Sequence, residues 1–149
     1  METPIQRRAE LLASLSGFSE LPPVVRRDLA DALKVENFPA DSVVVAERQM
    51  GDRMYIIESG IASVSTMGAN GPVILGQLSA GEMFGEIALV SKIRRRKATV
   101  TALTPLVTLS LAAEAFEKAL APYPEVLANF IQAAETLMRR KLQKLSDTK

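Results

Sequence analysis

Residues Phe84–Ala102 read FGEIALVSKIRRRKATVTA, and this stretch decides how the rest of the chain is read. Gly85 and Glu86 open the apolar run Ile87-Ala88-Leu89-Val90, long enough for about one helical turn. The first N–H groups of such a turn lack partners within it and carry about half a positive charge toward whatever precedes them. Arg96 follows beside Arg94, Arg95 and Lys97, and then the β-prone Ala98-Thr99-Val100-Thr101. A guanidinium converging on a helix N-terminus makes a site for a small phosphate. Glycine at position 85 keeps a side chain from blocking the amides. Glu86 would repel that phosphate, and a carboxylate only accepts hydrogen bonds, so its expected target is a sugar hydroxyl. The implied ligand carries one phosphate and one ribose close together.

Outward from this stretch the chain is β-prone. Short runs at Val43–Ala46, Met54–Glu58, Ala62–Thr66, Val73–Leu78, Ala98–Ala102 and Leu106–Leu109 are separated mostly by glycine or proline. That rhythm predicts an antiparallel sandwich or roll. Its one long break is Gly81–Lys97, where the helical turn and the charges lie, as expected for a functional loop on a β scaffold. Helical patterns flank the β region. Glu2–Leu15 and Val24–Lys34 precede it, with Pro23 suited to a first-turn position. Ala112–Leu120 and a longer helix from Pro124 or Glu125 to about Leu145 follow it, the last with an apolar stripe from Leu127 to Leu142. The expectation is an α+β, mainly β fold: an antiparallel β-roll or jelly roll with N-terminal helices, a short helix at the loop and two C-terminal helices. The expected domain is single, 1–149, with N-terminal helices in 1–35, a β-roll in 36–111 and C-terminal helices in 112–149.

Composition narrows the chemistry. One hundred and forty-nine residues suit one domain with a sizeable core. The net charge of +1 supplies no global field toward nucleic acid or membrane. With no cysteine there is no disulfide, thiolate metal site or thiol nucleophile, and with no histidine the commonest general base and metal ligand is absent. No apolar run approaches a membrane span and the N-terminus lacks a signal-peptide pattern. The expectation is a cytoplasmic, non-catalytic module without metal or cofactor, not itself inserted in a membrane.

The stretch Phe84–Val100 resembles the phosphate-binding cassette of cyclic nucleotide-binding domains, roughly F-G-E-φ-A-L-φ, a variable loop, then R-x-A-T-V. Upstream, GDRMYIIESGIASV (Gly51–Val64) is similar to the same family's G-D-x-φ-Y-φ-I-x-x-G strand pair. GQLSAGEMFGE (Gly76–Glu86) is similar to its L-x-x-G-x-x-F-G-E approach. The three ordered blocks lie within a match running from Phe18 to Phe130.

The resemblance implies a sensor for cAMP, ahead of cGMP, with no chemical step. It places the ligand on Gly85, Glu86, Ile87, Ala88, Leu89, Arg96, Lys97 and Ala98, with Arg96 on the cyclic phosphate and Glu86 on the ribose 2′-hydroxyl. Arg95 takes the phosphate role instead if the extra residue of this loop lies elsewhere. Lys97 departs from the family's small or hydroxyl residue, which implies added positive charge and little help for guanine. Val64 matches a strand position set against the purine, and Leu137, Met138 and Arg139 stand at about the right distance along the last helix to cap it. That helix has three readings: core packing, a dimer interface, or a lid. The resemblance also implies a parent channel or transporter, or an effector protein, which would tether the domain to a membrane only indirectly.

Other classes fit less well. A ligand-free interaction module of the same fold would not need Gly85, Glu86 and Arg96 together. A cupin-type enzyme needs a histidine-rich metal site that this chain lacks. DNA binding through Arg94–Lys97 lacks a reading helix and a basic overall charge.

Overall fold

The computed structural model describes residues 3–15, 17–85, 87–90 and 96–147, without the side chains of Ile87, Val90, Ala134 and residues 137–147. In chain order the elements are α1 (Pro4–Ala13), a 3-10 turn (Phe18–Glu20), α2 (Pro23–Ala32), β1 (Lys34–Phe38), β2 (Val43–Val45), β3 (Arg53–Ser59), β4 (Ala62–Gly68), β5 (Gly71–Leu78) and β6 (Met83–Phe84). Then come α3 (Ile87–Val90), β7 (Thr99–Ala102), β8 (Leu106–Ala112), α4 (Ala113–Leu120) and α5 (Pro124–Asp147). Two compact units result, one of residues 34–110 and one of residues 1–33 with 111–149.

The unit 34–110 is built from two four-stranded antiparallel sheets, ordered β1-β8-β3-β6 and β2-β7-β4-β5. The pairing is nested: β1 lies on β8, β2 on β7, β3 on β6 and β4 on β5. One long hairpin is thus folded over on itself, which is the jelly-roll arrangement expected from the spacing of strands and turns. Strand burial follows position in the sheet. Central β3 is buried on both faces over Met54–Ile57, whereas edge strand β5 is mostly exposed. Tyr55, Ile57, Ala62, Phe84, Val100 and Leu106 form the interior between the sheets, joined by Phe38, Val44, Val64 and Leu78. Tyr55 and Phe84 are direct cross-strand partners and stack with centroids 5.1 Å apart. Such a pair adds roughly 0.5–1.5 kcal/mol beyond the area it buries.

Two strands escaped the sequence pattern. β1 reads Lys34-Val35-Glu36-Asn37-Phe38, and Lys34, Glu36 and Asn37 disfavour a strand; it survives as an edge, where charged outward positions are tolerated. Lys34 therefore opens a strand rather than closing the second helix, which stops at Ala32. β6 is two residues long, too short for any periodicity, and is held by its register on β3.

The helical unit is organised by three phenylalanines. Phe18 lies 4.9 Å from Phe130 and 6.4 Å from Phe116, and Phe116 and Phe130 are 4.7 Å apart. Leu12, Val25, Leu29 and Leu120 are fully buried in the same unit. α1 starts with a reciprocal cap: the Thr3 hydroxyl accepts from the Gln6 amide at 3.1 Å and the Gln6 side chain accepts from the Thr3 amide at 2.8 Å. Phe130 shows that core packing accounts for the first turns of α5.

Candidate functional site

The loop between β6 and β7 carries most of the residues singled out by sequence. α3 is the single turn Ile87–Val90, as expected, and both Ala88 and Leu89 are buried. Gly85 precedes it with φ at 80°, a backbone conformation that favours glycine. The Ala88 amide donates to the Gly85 carbonyl at 3.1 Å. In this conformation the amide expected to meet a phosphate therefore closes its own turn.

Arg96 is the centre of the site. It is only 6 % exposed, unusual for a residue whose charge is costly to bury without partners. One guanidinium nitrogen donates to the Arg53 carbonyl at 2.8 Å, and the other makes a longer bond to the Gly85 carbonyl at 3.4 Å. The backbone is held as well. Arg96 donates to the Gln49 carbonyl and accepts from the Arg48 amide, both at 2.8 Å.

Two glycines make room for the guanidinium. A Cβ at Gly51 would lie 2.2 Å from both Cζ and Nε of Arg96, and a Cβ at Gly85 would lie 2.5 Å from Nη1. These are far inside contact distance, so the guanidinium occupies space that only glycine leaves open. A cavity of about 140 Å³ adjoins it, lined in part by Gln49, Gly51, Asp52, Tyr55 and Arg96.

Arg53, which supplies the carbonyl, is itself fixed. Its Nε meets Asp52 at 2.8 Å and its Nη2 the other carboxylate oxygen at 3.2 Å, while Nη1 reaches Glu36 at 3.3 Å. The Arg53 bond holds the Asp52 carboxyl below its ordinary 3.8, with Arg96 acting more weakly in the same direction. Reciprocally, Asp52 strengthens the hold of Arg53 on its proton. Burial pushes the Tyr55 phenol above its ordinary 10.0, with the nearby Glu36 carboxylate adding to the rise.

The other expected residues are placed as follows. Lys97 is exposed and Ala98 half-buried at the entry to β7. Val64 is half-buried in β4, paired with Val100 and Gly76 beside a register shift at Val64/Ser65, and packs against the interior of the roll. Glu86 and Arg95 lie outside the described residues, as do the side chains of Ile87, Leu137, Met138 and Arg139. Among the described residues no cluster of acidic or other ligating side chains could hold a metal, and no helix is long and apolar enough to cross a membrane.

Sequence reasoning missed the frame around Arg96: Gly51, Asp52, Arg53 and the turn Ala46–Gln49. Gly51-Asp52 stands in the block similar to the family's strand pair, but nothing in that block announces that Gly51 borders the Arg96 guanidinium. The turn contains Arg48 at φ 73°, a left-handed conformation that costs a non-glycine residue roughly 1–2 kcal/mol. Allowing for the extra chain entropy of glycine, Arg48→Gly is expected to raise stability by about 0.5 kcal/mol, or Tm by about 1–2 °C. Differential scanning calorimetry checks this, and a lowered Tm contradicts it.

A family model described as the cyclic nucleotide-binding domain matches residues 35–123. A cAMP-dependent protein kinase regulatory subunit of Eremothecium gossypii is 39% identical over 117 residues, covering 78% of this chain and 23% of the relative. A cyclic nucleotide-gated potassium channel of Mesorhizobium japonicum is 35% identical over 128 residues, covering 86% of this chain and 34% of the relative. The chain thus spans about a quarter to a third of the length of these curated relatives. Among solved structures, the regulatory domain of Toxoplasma gondii PKA with cAMP superposes with a TM-score of 0.73 at 25% identity, covering 89% of this chain and 50% of that one.

Proposed function

We propose that this chain, which belongs to the cyclic nucleotide-binding domain family, binds one cyclic nucleotide, cAMP ahead of cGMP, and passes its occupancy to a parent or effector protein. The observation that carries this reading is the buried Arg96 guanidinium, framed by Gly51 and Gly85 and anchored on the Arg53 carbonyl. A planar cation held in this way presents a fixed edge to a phosphate, the geometry in which arginine outperforms lysine.

In this reading Arg96 takes the cyclic phosphate together with the backbone of Gly85, Ile87, Ala88 and Leu89. Glu86 takes the ribose 2′-hydroxyl, Lys97 and Ala98 flank the phosphate, and Val64, Leu137 and Arg139 face the purine. No bond of the nucleotide is made or broken. The Ala88–Gly85 hydrogen bond supplies the switch: a phosphate that claims the Ala88 amide must reshape the turn, and a ligand shifts a conformational equilibrium by binding one state more tightly. α5 carries the change outward, and the resemblance to kinase regulatory subunits and a channel supports a parent protein or effector as its recipient. The domain, 1–149 as one functional module, works on the cytoplasmic side, tethered to a membrane only where the parent is a membrane protein.

One observation favours a second reading, a ligand-free interaction module: the Gly85 carbonyl already engages both Arg96 and the Ala88 amide. Titration calorimetry with cAMP, cGMP and 5′-AMP separates the two. The expected result is a single site, with cAMP tighter than cGMP and 5′-AMP weaker by roughly tenfold or more, the loss that follows when a cyclic-phosphate fit costs about 1.4 kcal/mol. Heat from none of the three, or equal binding of 5′-AMP, overturns the proposal.

A further inference from the structure

Arg96 is gripped through its backbone by a turn that is itself under strain. Arg48, left-handed at φ 73°, gives its amide to the Arg96 carbonyl, and Gln49 accepts from the Arg96 amide. The Gln49 amide closes the turn on the Ala46 carbonyl at 3.1 Å. A non-glycine residue stays in that conformation only where its surroundings over-determine it. The surroundings here are the three bonds of Glu47. Its amide donates to the Thr99 hydroxyl at 2.9 Å, its Oε1 accepts from the Met67 amide at 3.0 Å, and its Oε2 accepts from the Thr66 hydroxyl.

We infer that Glu47 is a positioning residue for the nucleotide site, pinning the Ala46–Gln49 turn to β4 and β7 so that the turn can hold Arg96 in place. The bolt ties two arms of the site together. Thr66 and Met67 lie just beyond Val64 on β4, and Thr99 lies three residues beyond Arg96. The Thr66 hydroxyl, then the Met67 amide, hold the Glu47 carboxyl below its ordinary 4.5, so at neutral pH it is a full acceptor. The inference rests on the cyclic nucleotide reading for its ligand, but its structural half does not.

The test uses the 149-residue chain in four forms: unaltered, Glu47→Ala, Glu47→Gln and Thr3→Ala. Thr3→Ala removes the α1 cap and serves as a stability control far from the turn in sequence. Glu47→Ala is expected to weaken cAMP binding roughly three- to tenfold, the loss of about one hydrogen bond's worth of positioning. It should also speed amide hydrogen exchange at Arg48 and Arg96. Glu47→Gln, which keeps a carbonyl acceptor, should restore most of the affinity, and Thr3→Ala should leave affinity unchanged. Unaltered affinity in Glu47→Ala, equal loss in Thr3→Ala, or no rescue by Glu47→Gln overturns the inference. If Glu47→Ala does not fold, Thr66→Val removes one partner of the same carboxylate and is read by the same criteria. If the unaltered protein binds no cAMP, the functional reading falls, and the exchange rates at Arg48 and Arg96 alone decide the role of Glu47.

Discussion

Arg96→Ala is expected to abolish cAMP binding at concentrations that saturate the unaltered protein, with a loss of about 3 kcal/mol, or a factor of about 100 or more. The size follows from where the side chain sits. In the proposed complex a cation 6 % exposed would meet the phosphate in a medium of low effective dielectric, where each charge-assisted hydrogen bond contributes more than it would in water. The same substitution leaves the Arg53 carbonyl without its 2.8 Å donor but also removes a charge that is costly to bury, so stability changes far less than affinity. Arg96→Lys should fall between, because an ammonium keeps the charge and loses the planar fork. Equal affinity for Arg96→Ala and the unaltered chain would remove Arg96 from the site and bring Arg95 forward in its place.

Gly51→Ala is the sharper experiment, since it alters no group that could touch the nucleotide through hydrogen bonds. The backbone at Gly51 is not in the positive-φ region, so alanine meets no left-handed strain there. Its Cβ would nevertheless fall 2.2 Å from Cζ and Nε of Arg96. The clash is with the end of a long side chain, which can swing aside. Folding is therefore expected to lose only about 1 kcal/mol, the worth of the Arg53 hydrogen bond. Binding is expected to fall about 10- to 100-fold, because a displacement of about 1 Å ruins the alignment of a positioned group. Paired calorimetric titration and thermal unfolding read both numbers. Gly85→Ala would be less informative, because φ at 80° and the 2.5 Å approach to Nη1 penalise folding and binding together. Normal cAMP affinity in a folded Gly51→Ala protein would show that the guanidinium pose is irrelevant to function.

These two substitutions also mark the border between what the sequence makes legible and what it hides. The turn Ile87–Val90 and the strand after it can be read locally, because a helix start, a basic cluster and a β-prone run follow each other within a few residues. The jelly roll can be read from the spacing of strands and turns, since each strand except β1 and β6 is long enough and apolar enough to register. β1 hides because an edge strand tolerates Lys34, Glu36 and Asn37, and β6 because two residues have no period.

The frame of Arg96 hides for a different reason. Arg53 and Gly51 are more than forty residues upstream, and only the antiparallel register Tyr55↔Phe84 brings the start of β3 beside Gly85. No local pattern announces that a backbone carbonyl, rather than a side chain, will anchor the guanidinium. Glu47 is equally silent in sequence: its partners Thr66, Met67 and Thr99 lie on two other strands.

The most direct measurement follows the Nε–H resonance of Arg96 by 15N NMR during a cAMP titration of the unaltered chain. A saturable shift of that resonance, with the affinity found by calorimetry, is the predicted result. A nucleotide that binds and moves other resonances while the Arg96 signal stays fixed would contradict the account.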